Sequence, residues 1–126
     1  MTKTLTELQQ DILDFRDARN WAQFHKTKDL MLSLALEAAE VLELAQWKSD
    51  AEMEDFCAQP ESREKLADEC ADVLAYLLLL TDHAGIDLEE AFAAKLKRNA
   101  EKYPVEQCHG RREKYTRFQQ RHEQAE

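Results

Sequence analysis

Only four of the 126 residues are glycine or proline, and the first of them is Pro60, followed by Gly85, Pro104 and Gly110. Strand-and-turn folds need a turn signal roughly every 8–12 residues, and most turns draw on glycine or proline. A chain with so little backbone punctuation is expected to be helical. At 44% hydrophobic and 34% charged residues it is also too apolar to stay disordered.

Hydrophobic spacing locates the helices. Thr4-x-x-Glu7 has capping-box form, so a first helix is expected from Thr4 through Leu8, Ile12 and Phe15 to about Arg19. The polar segment 20–28 (NWAQFHKTK) breaks the pattern. A second helix is predicted from about Asp29 to Trp47, apolar around most of its circumference and therefore expected to be buried. Residues 48–61 contain Pro60 and read as a connection with a short helical turn. A third helix begins near Glu61 or Ser62 and ends at Gly85, the natural residue for a left-handed cap. A fourth starts near Asp87 and stops before Tyr103-Pro104, beyond which the text is irregular. The expectation is an all-α, compact antiparallel bundle of four main helices. It forms one domain over residues 1–126, with 105–126 a basic C-terminal tail.

A domain this small has limited means to cover apolar stripes such as Leu30 to Leu44 and Leu77 to Leu80. A homo-oligomer, dimer or tetramer, is therefore predicted. No stretch reaches the roughly 20 apolar residues of a membrane span, and the N-terminus lacks the apolar core of a signal peptide. A cytoplasmic protein that does not engage membranes is expected. Cys57, Cys70 and Cys108 are odd in number and lack metal-type spacing, so reduced structural thiols are the natural reading.

The net charge of −9 is unevenly placed. Residues 1–94 carry 8 basic and 21 acidic groups, and residues 95–126 carry 9 and 5. Most of the chain therefore repels phosphate, which argues against a nucleic acid polymer as partner. A small phosphorylated ligand that brings its own cation is compatible with this balance.

The seams of the second and third helices hold an anomaly. At 3-4 spacing the second reads Leu30, Ser33, Glu37, Glu40, Leu44, Trp47, and the third reads Leu66, Glu69, Asp72, Tyr76, Leu79, His83. Each seam thus places two carboxylates at its centre, where packing favours apolar residues. One Glu-x-x-Glu pair on a charged chain is ordinarily a solvated face. Two pairs aligned on two seams point instead to four converging acids, which need cations to neutralise them. All-oxygen donors select Mg²⁺, with Mn²⁺ or Ca²⁺ as alternatives, and Mg²⁺ in such sites is usually completed by substrate phosphates. A di-iron bundle would want Glu-x-x-His on two helices, and the only such spacing is Glu106-x-x-His109, after the helix-ending Tyr-Pro.

At these residues the chain resembles the all-α nucleoside triphosphate pyrophosphohydrolases, the MazG-like group, and within it the dCTP-pyrophosphatase-like branch. The resemblance covers roughly Arg16 to Thr116. It rests on Glu37-x-x-Glu40 and Glu69-x-x-Asp72 with 28 residues between them, and on the flanking text RDARNWAQFH, LAQWKSD, DECADVLAYLLLL and the run from Lys95 to Pro104. It implies a Mg²⁺-dependent enzyme that cuts a nucleoside triphosphate into a monophosphate and pyrophosphate, with dCTP or a modified dNTP preferred, for sanitation of the nucleotide pool. Glu37, Glu40, Glu69 and Asp72 would hold metal, and Glu37 or Glu40 would activate water. Trp21, Phe24, His25 and Trp47 would line the base and sugar pocket, with Tyr76 next along the seam. Lys95 and Asn99 would contact phosphate and sugar. Lys102, Arg112, Lys114 and Tyr115 would come from the basic region, whose GRREKYT stretch is similar to a segment that closes over phosphates in relatives. The chain departs from relatives at Lys28-Asp29, where an Arg-Asn pair is common. A lysine keeps the charge but loses the bidentate fork, so Lys28 is left out of the site.

Two other readings fit the same acids. One is a non-enzymatic helical module whose acidic seams pair with a basic partner. The other is a metal-dependent nucleotide phosphatase or phosphodiesterase cutting a different bond.

Overall fold

A computed structural model describes residues 2–112. They contain helices α1 (Leu5–Ala18), α2 (Thr27–Glu43), α3 (Asp50–Ala58), α4 (Pro60–His83), α5 (Leu88–Lys102) and the single turn α6 (Val105–Cys108). A 3₁₀ turn, Ala22–Phe24, precedes α2, and no strand occurs among the described residues. The all-α expectation holds. Lys114 and Tyr115 lie outside the described residues.

By its contacts the chain divides into two units, Met1–Asp87 and Leu88–Glu126. In the first, α4 is the central element and packs against α2, α1 and α3. Leu30 of α2 and Leu78 and Leu79 of α4 form its buried apolar centre. Gln9 of α1 donates from Nε2 to the Leu78 carbonyl at 2.9 Å and approaches Thr81 Oγ1 at 3.4 Å. The Thr81 hydroxyl in turn donates to the Leu77 carbonyl at 2.9 Å, so this buried polar group is satisfied.

Helix ends follow local chemistry. Thr4 Oγ1 accepts from the Glu7 amide and Glu7 accepts from the Thr4 amide, the reciprocal box expected from the sequence. The α4 C-terminus closes with Gly85 at φ 68°. The Ile86 amide donates to the Thr81 carbonyl at 2.8 Å and the Gly85 amide to Asp82 at 3.0 Å, the pair of bonds that defines a Schellman cap. Helix α1 ends the same way on Asn20 (φ 54°), with the Trp21 amide on the Arg16 carbonyl and the Asn20 amide on Asp17.

Three expectations are corrected. The 48–61 connection holds the nine-residue helix α3, capped by Ser49 Oγ accepting from the Glu52 amide, with Pro60 free to open α4 because a first-turn N–H has no helical partner. Helix α2 stops at Glu43, four residues short of Trp47. Its exit is wound tight by amide bonds three residues back, Leu44 to Val41 through Gln46 to Glu43, and Lys48 Nζ caps the Leu44 carbonyl at 2.8 Å. Trp47 then takes φ 66° and is 93% exposed, so it leaves the seam. Finally, α2 is not buried all round. Only Leu30 is, while Met31, Leu32, Leu36 and Leu42 are exposed.

In the second unit, α5 carries Glu89 and Glu90 in its first turn and Lys102 in its last, each sign matched to the helix dipole.

Two substitutions test this account. Leu78→Ala should lower unfolding free energy by about 2–5 kcal/mol in urea titration, the usual cost of a cavity in a packed core. At Gly85 an added Cβ meets nothing within 4 Å. Gly85→Ala should therefore cost only the left-handed backbone penalty, about 1–2 kcal/mol.

Candidate active site

The four carboxylates come together. Glu37 and Glu40 lie one turn apart on α2, Glu69 and Asp72 one turn apart on α4, and one oxygen from each lies within 4.8 Å of the others. Glu37 and Glu69 are half-buried, Glu40 and Asp72 exposed. Oε2 of Glu37 and Oε2 of Glu69 are cut off from solvent without a hydrogen-bond partner.

This proximity changes their acidity. Burial pushes the Glu37 carboxyl above the ordinary range, and hydrogen bonding and charge from Glu40, then the charge of Asp72, push it further. For Glu69 the Glu40 carboxyl within hydrogen-bonding reach comes first, then burial, then the charges of Glu40, Asp72 and Glu37. Glu40 is thus the acid both half-buried glutamates lean on.

The donor set suits a hard divalent cation. An oxygen spread of 4.8 Å is close to twice the roughly 2.1–2.4 Å ligand distance of Mg²⁺ or Ca²⁺. Two orphaned buried oxygens also remain to be satisfied, and a cation would serve both.

Further along the same helices lies a cavity of about 250 Å³. Trp21, Phe24 and Tyr76 give it aromatic walls over Leu30, and His25, Asp29 and Ser33 add polar groups. The chain positions Trp21 through the α1 cap. Its ring meets Phe15 edge-on at 5.9 Å, and the Arg19 guanidinium lies 3.6 Å from the Phe15 centroid and 5.9 Å from that of Trp21. His25 Nδ1 is buried and unpartnered, and burial, then Arg16 and His83, hold its imidazole below the ordinary histidine value, hence neutral at pH 7.

The register ties cavity to acids. Ser33 precedes Glu37 by four residues on α2, and Tyr76 follows Asp72 by four on α4. Cavity and carboxylates are therefore neighbours on one seam, about one 5.4 Å helical turn apart. A larger hollow of about 480 Å³ is lined by Ala39, Leu42, Glu43, Ala45 and Gln46. All five come from α2 and its exit turn, so this is an open surface groove.

Of the residues singled out from sequence, the four acids, Trp21, Phe24, His25 and Tyr76 are brought to this seam. Trp47 is not among the cavity residues. Lys95, Asn99 and Lys102 share one face of α5 at i, i+4, i+7 in the second unit, and Arg112 is exposed beyond α6. Asp29 and Ser33 line the cavity without having been assigned to it. The stripe Asp29, Ser33, Glu37 at four-residue spacing was the available signal.

A profile of the MazG-like family matches residues 32–118. A rat protein named dCTP pyrophosphatase 1 is 40% identical over 113 residues, and its human counterpart 35%, each alignment covering 90% of this chain and 66% of the relative. The chain thus spans just under two thirds of these relatives' length. The crystal structure of a pyrophosphatase from Archaeoglobus fulgidus superposes with TM-score 0.74 at 37% identity, covering 82% of this chain and 95% of that one.

The acidic cluster predicts an unusual pH response in metal-free protein. Glu69 has a raised folded value, so its contribution to stability is present below its ordinary value of 4.5 and lost as pH rises through the raised one. Glu69→Gln should therefore melt higher than the parent near pH 7. The gap should narrow as pH falls toward the ordinary carboxylate range, checked by thermal melts across pH in EDTA.

Proposed function

The chain belongs to the MazG-like family, in its dCTP-pyrophosphatase-like branch, and on that premise we propose that it is a nucleotide pyrophosphohydrolase. The reaction is hydrolysis of a (deoxy)nucleoside triphosphate to the monophosphate and pyrophosphate, with dCTP or a modified dNTP preferred. The observation that carries this reading is the aromatic cavity one helical turn from the four acids on the α2–α4 seam. A cavity of about 250 Å³ falls below the roughly 300–1,000 Å³ of pockets that hold whole drug-sized ligands. It therefore suits a base and part of its sugar, with the phosphates extending toward the carboxylates.

Glu37, Glu40, Glu69 and Asp72 would hold Mg²⁺, with Mn²⁺ as the alternative, and the bound ion supplies the positive charge that both the acids and the triphosphate need. Water attacks the α-phosphorus, the bond to the β-phosphate oxygen breaks, and pyrophosphate leaves. Of the two candidates for orienting and deprotonating that water, Glu40 is exposed and Glu37 half-buried. This favours Glu40 as the group that meets incoming solvent. Trp21 and Phe24 offer faces for stacking, worth about 1–3 kcal/mol per base. Lys95, Asn99, Lys102, Arg112, Lys114 and Tyr115 are assigned to phosphate and sugar by family resemblance. So is the role of nucleotide-pool sanitation. The exposed Leu32, Leu36 and Leu42 of α2 support a homo-oligomer.

The test is product analysis over a panel of canonical and modified dNTPs with Mg²⁺. Release of pyrophosphate with the monophosphate is expected, whereas orthophosphate would identify a phosphatase. Glu40→Gln should lower kcat by at least about a hundredfold while the circular dichroism spectrum is kept. In melts, Mg²⁺ should stabilise the parent saturably and Glu40→Gln far less. A purely protein-pairing module would show neither effect.

A further inference from the structure

Behind the cavity stands a half-buried cation that the proposed mechanism does not use. Arg16 lies in the last turn of α1 with its side chain 18% exposed. Its guanidinium reaches two carboxylates. Nε and Nη2 lie 2.8 Å and 2.7 Å from Asp17 Oδ1, and Nη1 lies 3.8 Å from Asp82 Oδ2 in the last turn of α4. A planar head with five donors can hold both at once. The Arg16 carbonyl meanwhile accepts the Trp21 amide at 3.1 Å. The aromatic wall therefore hangs on the residue that joins the end of α1 to the end of α4.

His25 feels the same residue. Burial first, then the positive charge of Arg16 and that of His83 beside Asp82, hold its imidazole below the ordinary histidine value. The remaining polar groups around the cavity are Asp29 and Ser33 from α2 and Tyr76 from α4. A neutral ring keeps one acceptor and one donor, whereas the imidazolium can only donate.

From this arrangement we infer that Arg16 is a positioning residue for the base cavity, setting where Trp21 and His25 stand by tying α1 to α4 through Asp82. It acts through those two wall residues. The inference rests on the cavity being the base site proposed above. An ion pair this close to solvent ordinarily adds little to stability. A merely structural Arg16 would therefore shift the melting temperature slightly and leave ligand binding as it was. A displaced wall instead weakens the hold on the base without touching the step at phosphorus, so KM rises while kcat holds.

The experiment uses the full chain. Deoxycytidine is titrated into metal-free protein and followed by NMR shifts of the cavity residues. The His25 ring is titrated with pH in the same samples, and dCTP turnover is measured with Mg²⁺. Arg16→Met removes fork and charge but keeps an unbranched stem. It should weaken deoxycytidine binding and raise KM for dCTP by about five- to tenfold, short of the loss of a whole stacking face. It should leave kcat within about twofold and raise the His25 midpoint. Arg16→Lys keeps the charge and should recover most of both losses. Asp82→Asn removes only the anchor on α4 and should raise KM in the same direction. Combined with Arg16→Met it should add little, because the two residues act as one unit. Deoxycytidine affinity unchanged in either single variant overturns the inference, as does full additivity in the double variant or a parent chain that binds no deoxycytidine. If nucleoside binding follows Arg16 and Asp82 but no triphosphate is cleaved, the inference stands and the hydrolytic reading fails.

Discussion

Mutual repulsion among four acids at the α2–α4 contact is the constraint on which the first unit is built. Two helices that pack closely would ordinarily fill their seam with leucine, as this pair does at Leu30, Leu78 and Leu79. Glu37 and Glu69 interrupt that filling with half-buried carboxyls, each carrying an oxygen with no partner. Leaving charge in such a place is unfavourable, so the fold must be held by what lies around it. The Gln9 and Thr81 bonds to the α4 backbone, the Schellman caps and the α3 contact with α4 serve that purpose away from the acids. Stability and site are thereby separated along one helix, with α4 apolar and capped toward its C-terminal end and acidic nearer its middle.

The same seam explains how a chain with few loops makes a composite site. Loops usually carry function because they tolerate irregular geometry. Here the irregular piece is small: a left-handed Asn20 and a 3₁₀ turn, enough to swing Trp21, Phe24 and His25 over the start of α2. The Phe15 and Arg19 contacts fix the Trp21 ring from behind, so an aromatic wall is supported by the helix that precedes it. Rigid helices hold the acids, and a short braced turn holds the wall beside them.

Much of this was legible in the sequence wherever a local rule decided the outcome. Thr4-x-x-Glu7 and Gly85 announce helix ends because capping is chemistry between near neighbours. The acids were legible because period 3.6 places i and i+3 on one face, whatever the tertiary partner. The seam position of Trp47 fails for the opposite reason. Continuing the seam assumed that α2 ran on, whereas the tight exit after Glu43 and the Lys48 cap ended it with neither Gly nor Pro as a signal. Helix α3 leaves little trace in the sequence because its nine residues carry no strong apolar face.

Helix α2 also raises a problem that its seam does not solve. A helix apolar around most of its circumference is expected to be buried, yet one face meets α4 while Leu32, Leu36 and Leu42 stand open to solvent. Leu32 and Leu36 are one turn apart, with Ala35 and Ala39 beside them, and Leu42 lies further round the helix. That surface is apolar and flanked by small side chains, features that let a second helix approach closely. Leu36 stands one turn before Glu40, so stripe and acids adjoin on the same helix. An oligomer that covers Leu32 and Leu36 would steady the helix that carries Glu37 and Glu40, supplying stability that the carboxylates themselves withdraw.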